Sequence, residues 1–151
     1  MKKRSIIPFF IIVICMFFGC VTPTRYIPEE KWDLGTKVQG YKDTKLSSNQ
    51  FQVSFTANHT TADQTAYSYC LYRCAEVTKE NGFDYFIITS EKDISKHVAV
   101  GTVGHNVVTA EEQRMPTYNV RIKCGKGIKP NTDNAFYASD IIKTIGPTIR
   151  R

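Results

Sequence analysis

Residues 50–89 decide the fold, and they run QFQVSFTANHTTADQTAYSYCLYRCAEVTKENGFDYFIIT. At the start of this stretch, Phe51, Val53 and Phe55 alternate with polar residues, which predicts a strand with one buried and one exposed face. At its end, Tyr85–Thr89 is apolar on both alternating sets, which predicts a strand that is covered on both faces and central in its sheet.

The segment between these two strands has the periodicity of a helix. Its apolar positions recur three or four residues apart, at Ala66, Tyr67, Cys70, Leu71, Cys74, Val77 and Thr78. Thr61 and Gln64 match a capping box, and Asn81-Gly82 is typical of a helix C-terminus, where glycine adopts the left-handed conformation. Arg73 and Glu76 are expected to pair on the helix surface. A strand, a helix and a strand within about 40 residues predict a βαβ unit.

Further elements are predicted on both sides of this unit. Residues 40–46 are expected to pair with the first strand as a hairpin that turns at Ser47–Asn49. Residues 118–122 alternate between apolar and polar side chains, which predicts another half-buried strand. A last helix is predicted from about Asn134 to Ile145, with a buried stripe formed by Ala138, Ile141, Ile142 and Ile145.

Residues 91–116 leave two interpretations open. Several valines lie near Gly101 and Gly104, and this spacing is compatible with a loose hairpin. The charged and glycine-rich surroundings favour a mobile loop equally well.

Taken together, these elements predict an α+β fold. We expect a small twisted sheet with a βαβ unit and two helices packed on one face, after a lipoprotein signal peptide. The two periods place one set of side chains on inward faces, where they should form a contiguous core: Phe51, Val53, Phe55, Cys74, Val77, Phe86, Ile88, Val120, Ile122, Ile141 and Ile145.

The signal peptide is predicted from the first twenty residues. Three basic residues, Lys2, Lys3 and Arg4, precede the uncharged run Ile6–Phe18, IIPFFIIVICMFF. A membrane-spanning helix needs about 20 apolar residues, so this shorter run is typical of a secretory signal. The alternative is an uncleaved N-terminal anchor with an incidental cysteine at position 20.

The end of this run, Gly19-Cys20, resembles the lipobox of bacterial lipoprotein precursors. The resemblance implies that the Cys20 thiol receives a diacylglycerol, that residues 1–19 are removed, and that the new amino group is acylated. Val21 stands where lipoproteins retained at the inner membrane commonly have Asp, so the resemblance favours the outer membrane, facing the periplasm. The predicted organisation is residues 1–19 as signal peptide, residues 20–38 as a lipidated, largely irregular tether, and residues 39–151 as one domain.

A second resemblance rests on motifs spread along the chain. They occur in the order Gly40-Tyr41, Phe51-x-Val53-x-Phe55, Arg73-x-Ala75-Glu76-x-Thr78-x-x-x-Gly82-x-Asp84-Tyr85-Phe86, Gly127-x-Lys129-Pro130 and Ile145-Gly146-Pro147. With them the chain resembles a family of small proteobacterial envelope lipoproteins of unknown function, whose founding members come from Caulobacter. The resemblance implies lipidation of Cys20 and brings no activity, substrate or cofactor. The cysteines at 70, 74 and 124 depart from the family pattern.

Three cysteines of the predicted domain, Cys70, Cys74 and Cys124, leave three interpretations open. They are buried thiols, or one disulfide, or, with a histidine, ligands of a zinc ion. Cys70 and Cys74 share one helical face, and their parallel side chains do not readily reach disulfide geometry. Any disulfide is therefore expected to join Cys124 to Cys70 or Cys74.

The charge of the chain argues against nucleic acid as a partner. The 20 basic and 14 acidic side chains give a net charge of +6, and removal of residues 1–19 lowers it to +3. From Val120 onwards, Asp133 and Asp140 are the acids, against seven basic residues: Arg121, Lys123, Lys126, Lys129, Lys143, Arg150 and Arg151. This segment is either a solvated strand edge and tail, or a face for an anionic envelope component or an envelope protein.

Signatures of common enzymes are missing from the sequence. It contains no nucleophile elbow, P-loop, zinc-protease motif or dinucleotide-binding glycine run. Asp43, Asp63 and Asp84 have a turn, a cap region and a strand entry as ordinary roles, and the three histidines, His59, His97 and His105, are expected to be solvated. We therefore expect a non-catalytic envelope protein, attached to the membrane through acyl chains on Cys20, with no cofactor and no metal. The alternatives are a redox-responsive sensor that uses Cys70, Cys74 and Cys124, and an unrecognised hydrolase.

Overall fold

A computed structural model of the chain describes residues 22–31, 38–104 and 107–151. Within these ranges the elements are β1 (Glu30–Lys31), β2 (Val38–Lys45), β3 (Gln50–Thr56), α1 (Asp63–Glu80), β4 (Tyr85–Asp93), β5 (Lys96–Gly104), β6 (Val107–Met115), β7 (Thr117–Gly125), β8 (Ala135–Tyr137), α2 (Ala138–Ile145) and a 3-10 helix (Gly146–Thr148). The α+β fold is confirmed, with both helices packed against the sheet.

Six strands form the main sheet in the order β1-β2-β3-β7-β4-β8. The predicted hairpin of β2 and β3 is confirmed, and it pairs antiparallel from Gly40 opposite Thr56 to Lys45 opposite Phe51. Strands β3 and β4 both run antiparallel to β7, which lies between them, so they are parallel to each other and α1 connects them. The βαβ unit is therefore present in split form, with a third strand inserted between its two strands.

The core lies between one face of this sheet and helix α1. Eight of the predicted core residues are buried, namely Phe51, Val53, Phe55, Cys74, Val77, Phe86, Val120 and Ile122, while Ile88, Ile141 and Ile145 are half-buried and pack against them. The inward phase predicted for β3 and β7 is confirmed, because Val53 and Val120 are directly opposite each other and both fully buried. Tyr69, a residue that the prediction did not include, is among the largest buried side chains.

The two ends of α1 differ in how well the sequence predicted them. The C-terminal cap is confirmed, because Gly82 has a φ of 75° and its N–H donates to the Lys79 carbonyl, while the Phe83 N–H donates to the Thr78 carbonyl. The capping box is wrong, because Ala62 occupies the N-cap and makes no side-chain hydrogen bond. The hydroxyl of Thr61 instead donates to Asn58 Oδ1 at 2.7 Å.

The last helix begins later than predicted. Residues 135–137 form β8, which pairs with Tyr85–Ile87 at the edge of the sheet, and α2 starts at Ala138. The apolar residues Ala135 and Phe136 therefore belong to a strand, because β4 offers them backbone partners that the sequence does not reveal.

Of the two interpretations for residues 91–116, the structure has the hairpin. Strands β5 and β6 pair with each other from Lys96 opposite Met115 to Gly104 opposite Val107. At the base of this hairpin, Ser95 donates hydrogen bonds to the Asp93 carboxylate through its side chain and its backbone, and these bonds hold the pKa of Asp93 below its ordinary value.

The described part of the predicted tether packs against the domain. Tyr26 is 4% exposed, and its ring contacts Tyr41, Tyr69 and Tyr72 at centroid distances of 4.7, 5.7 and 5.2 Å. Residues 22–29 are largely irregular, as predicted, but they are part of the packed structure, and the packed chain therefore begins before residue 39. Aromatic contacts of this kind anchor a segment that has no regular secondary structure of its own.

Candidate functional site

The face of the main sheet opposite the helices is polar. The strand register defines this face. Side chains that point to the helix side are buried, as for Phe51, Val53, Val120 and Phe86, and their neighbours along each strand point to the opposite side. We call this surface the open face, and its members are Lys42 and Thr44 on β2, Gln50, Gln52, Ser54 and Thr56 on β3, Tyr85, Ile87, Ser90 and Lys92 on β4, Thr117, Asn119, Arg121, Lys123 and Gly125 on β7, and Ala135 and Tyr137 on β8.

The open face is positively charged. None of its members, as defined from β2, β3, β4, β7 and β8, is Asp or Glu, whereas four are basic. Lys42 pairs with Glu29 at 3.6 Å, and Lys92, Arg121 and Lys123 are exposed. These cations come together only in the fold, because β4 and β7 run antiparallel and Ser90 lies opposite Arg121.

A shallow hollow of about 130 Å³ lies at the centre of the open face. Its lining consists of Gln52, Ser90, Lys92, Asn119 and Arg121. Gln52 Oε1 accepts a hydrogen bond of 3.1 Å from Arg121 Nε, so one edge of the guanidinium is held in place, while its remaining N–H groups have no hydrogen-bond partner among the described residues. Amide, hydroxyl and cationic donors in one hollow are the groups that bind a carboxylate or phosphate oxygen.

The seven basic residues of the C-terminal segment divide between two sides of the domain. Arg121 and Lys123 lie on the open face, and Lys129 joins them because its Nζ is 5.9 Å from the ring of Tyr137. Lys126 lies in the same β7–β8 connection as Lys129. Lys143, Arg150 and Arg151 lie on the side of the helices. These basic residues therefore lie on two separate surfaces, and Lys92, which is not one of the seven, belongs to the first.

Arg73 is the centre of an ion network on the helix side. The predicted pair with Glu76 is present, but it is mostly buried and not on the surface, because the Arg73 side chain is only 11% exposed. The guanidinium donates to Asp43 at 2.9 Å, to Glu76 at 3.1 Å and to Glu80 at 2.8 Å. Its Cζ lies 4.6 Å from the ring centroid of Tyr41, a cation–π distance.

This network gives several acidic residues a structural role. Asp43, predicted in a turn, lies on β2 and binds Arg73 across the helix–sheet interface. Glu76 also accepts a hydrogen bond from the Tyr26 hydroxyl, and burial raises the pKa of that phenol, so it stays protonated. Charges that neutralise one another and hold the N-terminal segment have a structural role of their own.

The three domain cysteines are free, buried thiols. Cys70 Sγ lies 3.8 Å from the Val53 carbonyl oxygen, and Cys124 Sγ lies 3.5 Å from Thr78 Oγ1. Because the Thr78 hydroxyl donates its proton to the Cys74 carbonyl at 2.7 Å, the thiol of Cys124 is the donor to Thr78. Burial raises the pKa of Cys74 and of Cys124, which keeps both protonated. The pairing of any disulfide stays a prediction.

We expect these thiols to be unreactive in the folded protein. A maleimide at neutral pH should modify Cys70, Cys74 and Cys124 about 1,000-fold more slowly than in the unfolded chain, because the reagent needs a thiolate that is exposed by local opening. Mass spectrometry of digested protein, labelled with and without denaturant, locates each adduct. Rapid labelling of the native protein at any of the three positions would favour the redox-sensor alternative.

A groove of about 350 Å³ lies beside the first turn of α1. It is lined by Pro23, Thr24, Thr60, Thr61, Ala62, Gln64, Thr65, Ser68, Tyr69, Thr148 and Arg150. Its innermost hydroxyls are engaged in holding the N-terminal segment, because the Thr24 N–H donates to Thr61 Oγ1 and the Thr24 hydroxyl donates to Gln39 Oε1. The groove therefore marks where residues 22–24 join the domain.

The remaining predicted site residues are placed as follows. His59 is half-buried and His97 is exposed, while Cys20 and His105 lie outside the described residues. Within the described ranges, no group of three or more His, Cys, Asp or Glu side chains is arranged to hold a metal ion. Among the helices of residues 22–31, 38–104 and 107–151, none has the length and apolar character needed to cross a membrane.

No family model matches this chain, and neither a search of curated proteins nor a search of solved structures returned a match. The function of the open face is therefore argued from its own chemistry.

Proposed function

We propose that this protein is a non-catalytic binding module of the bacterial envelope, anchored by acyl chains on Cys20, and that its open face binds an anionic envelope component. The anchor places it in the envelope membrane, with Val21 favouring the outer membrane and the periplasmic side. This assignment extends the lipoprotein resemblance and requires no cofactor.

The single observation that carries the binding proposal is the charge of the open face. Lys92, Arg121 and Lys123 are exposed on a surface whose register positions hold no acidic residue. A sheet face of this size that lacks acids creates a positive potential, and it attracts anions over roughly a Debye length of about 8 Å at physiological ionic strength. Arg121, which is held by Gln52, also offers N–H donors of fixed direction to an anion that this potential attracts.

The alternatives have less support in the described residues. Most of the described carboxylates that contact another side chain are paired with an arginine or a lysine, as in the network around Arg73. No described histidine takes part in these pairs. A hydrolase would need an acid or base in reach of a substrate. A redox sensor would need accessible thiols of low pKa, whereas Cys74 and Cys124 are buried and their pKa values are raised.

Charge reversal tests the binding proposal. A photo-crosslinking amino acid in place of Thr44, the open-face residue opposite Gln52, is expressed in intact cells, in the full chain and in the Arg121→Glu/Lys123→Glu variant. Crosslinked product should fall about 10-fold in that variant, because the loss of two charge-assisted contacts to the anion costs about 1.4 kcal/mol or more in binding free energy.

The matched control is Lys143→Glu/Arg150→Glu, which makes the same change in net charge on the helix side. It should leave the crosslinking yield within about twofold, since surface charges beyond a Debye length are screened. An equal loss in both variants would show that net charge, and not the open face, drives association.

A further inference from the structure

A glycine and two tyrosines lie side by side at one end of the open face. Tyr85 of β4 is directly opposite Gly125 of β7 on one side and Tyr137 of β8 on the other. The ring of Tyr85 lies over Gly125, because a Cβ built on this glycine would overlap both Cζ and the hydroxyl oxygen of the phenol. The missing side chain of Gly125 therefore allows the ring to lie across the surface of the sheet.

The two tyrosines differ in what contacts them. The Tyr137 hydroxyl accepts a hydrogen bond of 3.3 Å from the Lys129 N–H, and Lys129 Nζ lies 5.9 Å from the centroid of the Tyr137 ring. In the described part of the chain, the Tyr85 side chain has no hydrogen-bond, aromatic or cationic partner, and it is half-buried. Tyr85 is therefore the ring that offers part of its surface to a ligand.

The cations of the open face begin next to this ring. Lys123 is opposite Ile87, the next open-face residue of β4 after Tyr85, so Lys123 and Tyr85 are diagonal neighbours at about 7–8 Å. Arg121, in the hollow, is four residues from Gly125 on β7, a distance of about 13 Å along the strand. An aromatic ring, a cation and an anion-binding hollow therefore follow one another along the sheet.

The hollow holds more donors than a carboxylate can use. Besides the guanidinium of Arg121, an ammonium, a hydroxyl and an amide line it, from Lys92, Ser90 and Asn119. None of these last three side chains has a hydrogen-bond partner within the described ranges. A carboxylate offers two oxygens, whereas a terminal phosphate offers three and carries about two negative charges at neutral pH. The donors of the hollow therefore favour a phosphate group.

We propose that the open face binds a phosphorylated sugar chain, with a sugar ring stacked on Tyr85 and a phosphate in the hollow beside Arg121. This inference rests on the proposed function and names the class of its anionic ligand. The faces of a sugar ring present C–H groups, which the negative face of an aromatic ring attracts. Sugar hydroxyls both donate and accept hydrogen bonds, as the side chains of Ser90 and Asn119 do. A bare anion would leave Tyr85 without a contact.

Saturation-transfer NMR tests the ligand class with a glucosamine disaccharide that carries a phosphate on each ring. The full-length acylated protein is held in phosphatidylcholine vesicles, which have no net charge, and saturation is applied to aromatic protons, which this lipid lacks. The sugar-ring protons should become saturated. The phosphorylated disaccharide should bind about 10-fold more tightly than the unphosphorylated disaccharide, and than inorganic phosphate measured by competition, because each of these makes only part of the contacts.

Two variants remove the aromatic contact without a change in charge. Tyr85→Ala deletes the ring, and Gly125→Ala displaces it, because the new methyl group would overlap the end of the Tyr85 side chain. Each should raise the dissociation constant of the phosphorylated disaccharide about 5-fold, the effect of one aromatic contact, and leave that of inorganic phosphate within about twofold. Tyr85→Phe keeps the ring and should bind like the unsubstituted protein. If far-UV circular dichroism shows that Tyr85→Ala is unfolded, Gly125→Ala tests the contact.

Three results would overturn the sugar assignment alone: inorganic phosphate that binds as tightly as the disaccharide, a disaccharide that is not saturated, or unchanged affinity in the folded Tyr85→Ala and Gly125→Ala variants. A thymidine oligonucleotide of equal charge that binds more tightly would also overturn it, because bases stack on aromatic rings beside cations. Failure of the proposed function is measured separately, as unchanged crosslinking in the Arg121→Glu/Lys123→Glu variant.

Discussion

Replacement of Cys20 by serine is expected to abolish incorporation of labelled palmitate, stop processing of the precursor and leave the domain folded. A thiol is the group that forms the thioether to diacylglycerol in the resembled precursors, and serine has none. Each buried methylene of an acyl chain stabilises membrane attachment by about 0.8 kcal/mol, so the loss of two or more chains outweighs any attraction between a domain of net charge +3 and anionic lipid.

The measurement is metabolic labelling combined with membrane fractionation of both forms. Cys15→Ser is the matched control, because Cys15 lies inside the uncharged run and should not affect labelling. Wild-type protein that takes up no lipid label and leaves the membrane in high salt would contradict the lipid anchor, since salt screens electrostatic attachment and does not release acyl chains.

The Gly40→Ala variant is expected to lose about 3–5 kcal/mol of unfolding free energy, through backbone strain and overpacking together. Gly40 has a φ of 111°, a conformation that side chains rarely adopt. A Cβ at this position would lie 2.5 Å from the Ile27 carbonyl oxygen and 2.7 Å from that of Pro28. Both neighbours are backbone, so the N-terminal segment must move away from β2 to relieve the contact.

Chemical denaturation measures the loss, and cleavage by trypsin after the exposed Arg25 reports the release of the segment. Gly127→Ala is the control, because Gly127 has a φ of 78° but no atom within 4 Å of a built Cβ, so only the strain of about 1–2 kcal/mol applies. Equal losses in the two variants would show that residues 22–29 do not pack against β2.

The packing of the N-terminal segment also bears on function. Tyr26 is held by Tyr41 and Tyr72, and Thr24 by Asn58, so a displaced segment would lengthen the link between Cys20 and the domain.

The sequence by itself determined the elements whose hydrophobic period is local. Strands β3 and β7, helix α1 and the glycine cap at Gly82 follow from alternation, helical spacing and turn chemistry, each of which reports which side of a short segment is buried. The same information predicted that Val120 and Ile122 face inward, and it predicted the candidate lipidation at Cys20, which depends on a contiguous motif.

Tertiary structure decided what depends on partners distant in sequence. The Thr61 and Gln64 motif predicted a cap, but the Thr61 hydroxyl instead donates to Asn58 Oδ1 and accepts a hydrogen bond from the Thr24 N–H once the N-terminal segment is in place. Residues 135–137 became a strand because β4 had a free edge. In both cases a long-range hydrogen bond prevailed over a local preference.

The candidate binding face belongs to this second class. Lys92 and Arg121 are separated by a hairpin of two strands in the sequence, and they share a hollow only because β4 and β7 pair antiparallel with a shift in register between Ile88 and Ser90. In the same way, the sequence predicts a partner for Arg73 only on its own helix, at Glu76, whereas Asp43 contacts it from β2. Periodicity specifies which face of a segment is buried, but the pairing of strands decides which exposed side chains become neighbours, and that pairing is set by the packing of the whole domain.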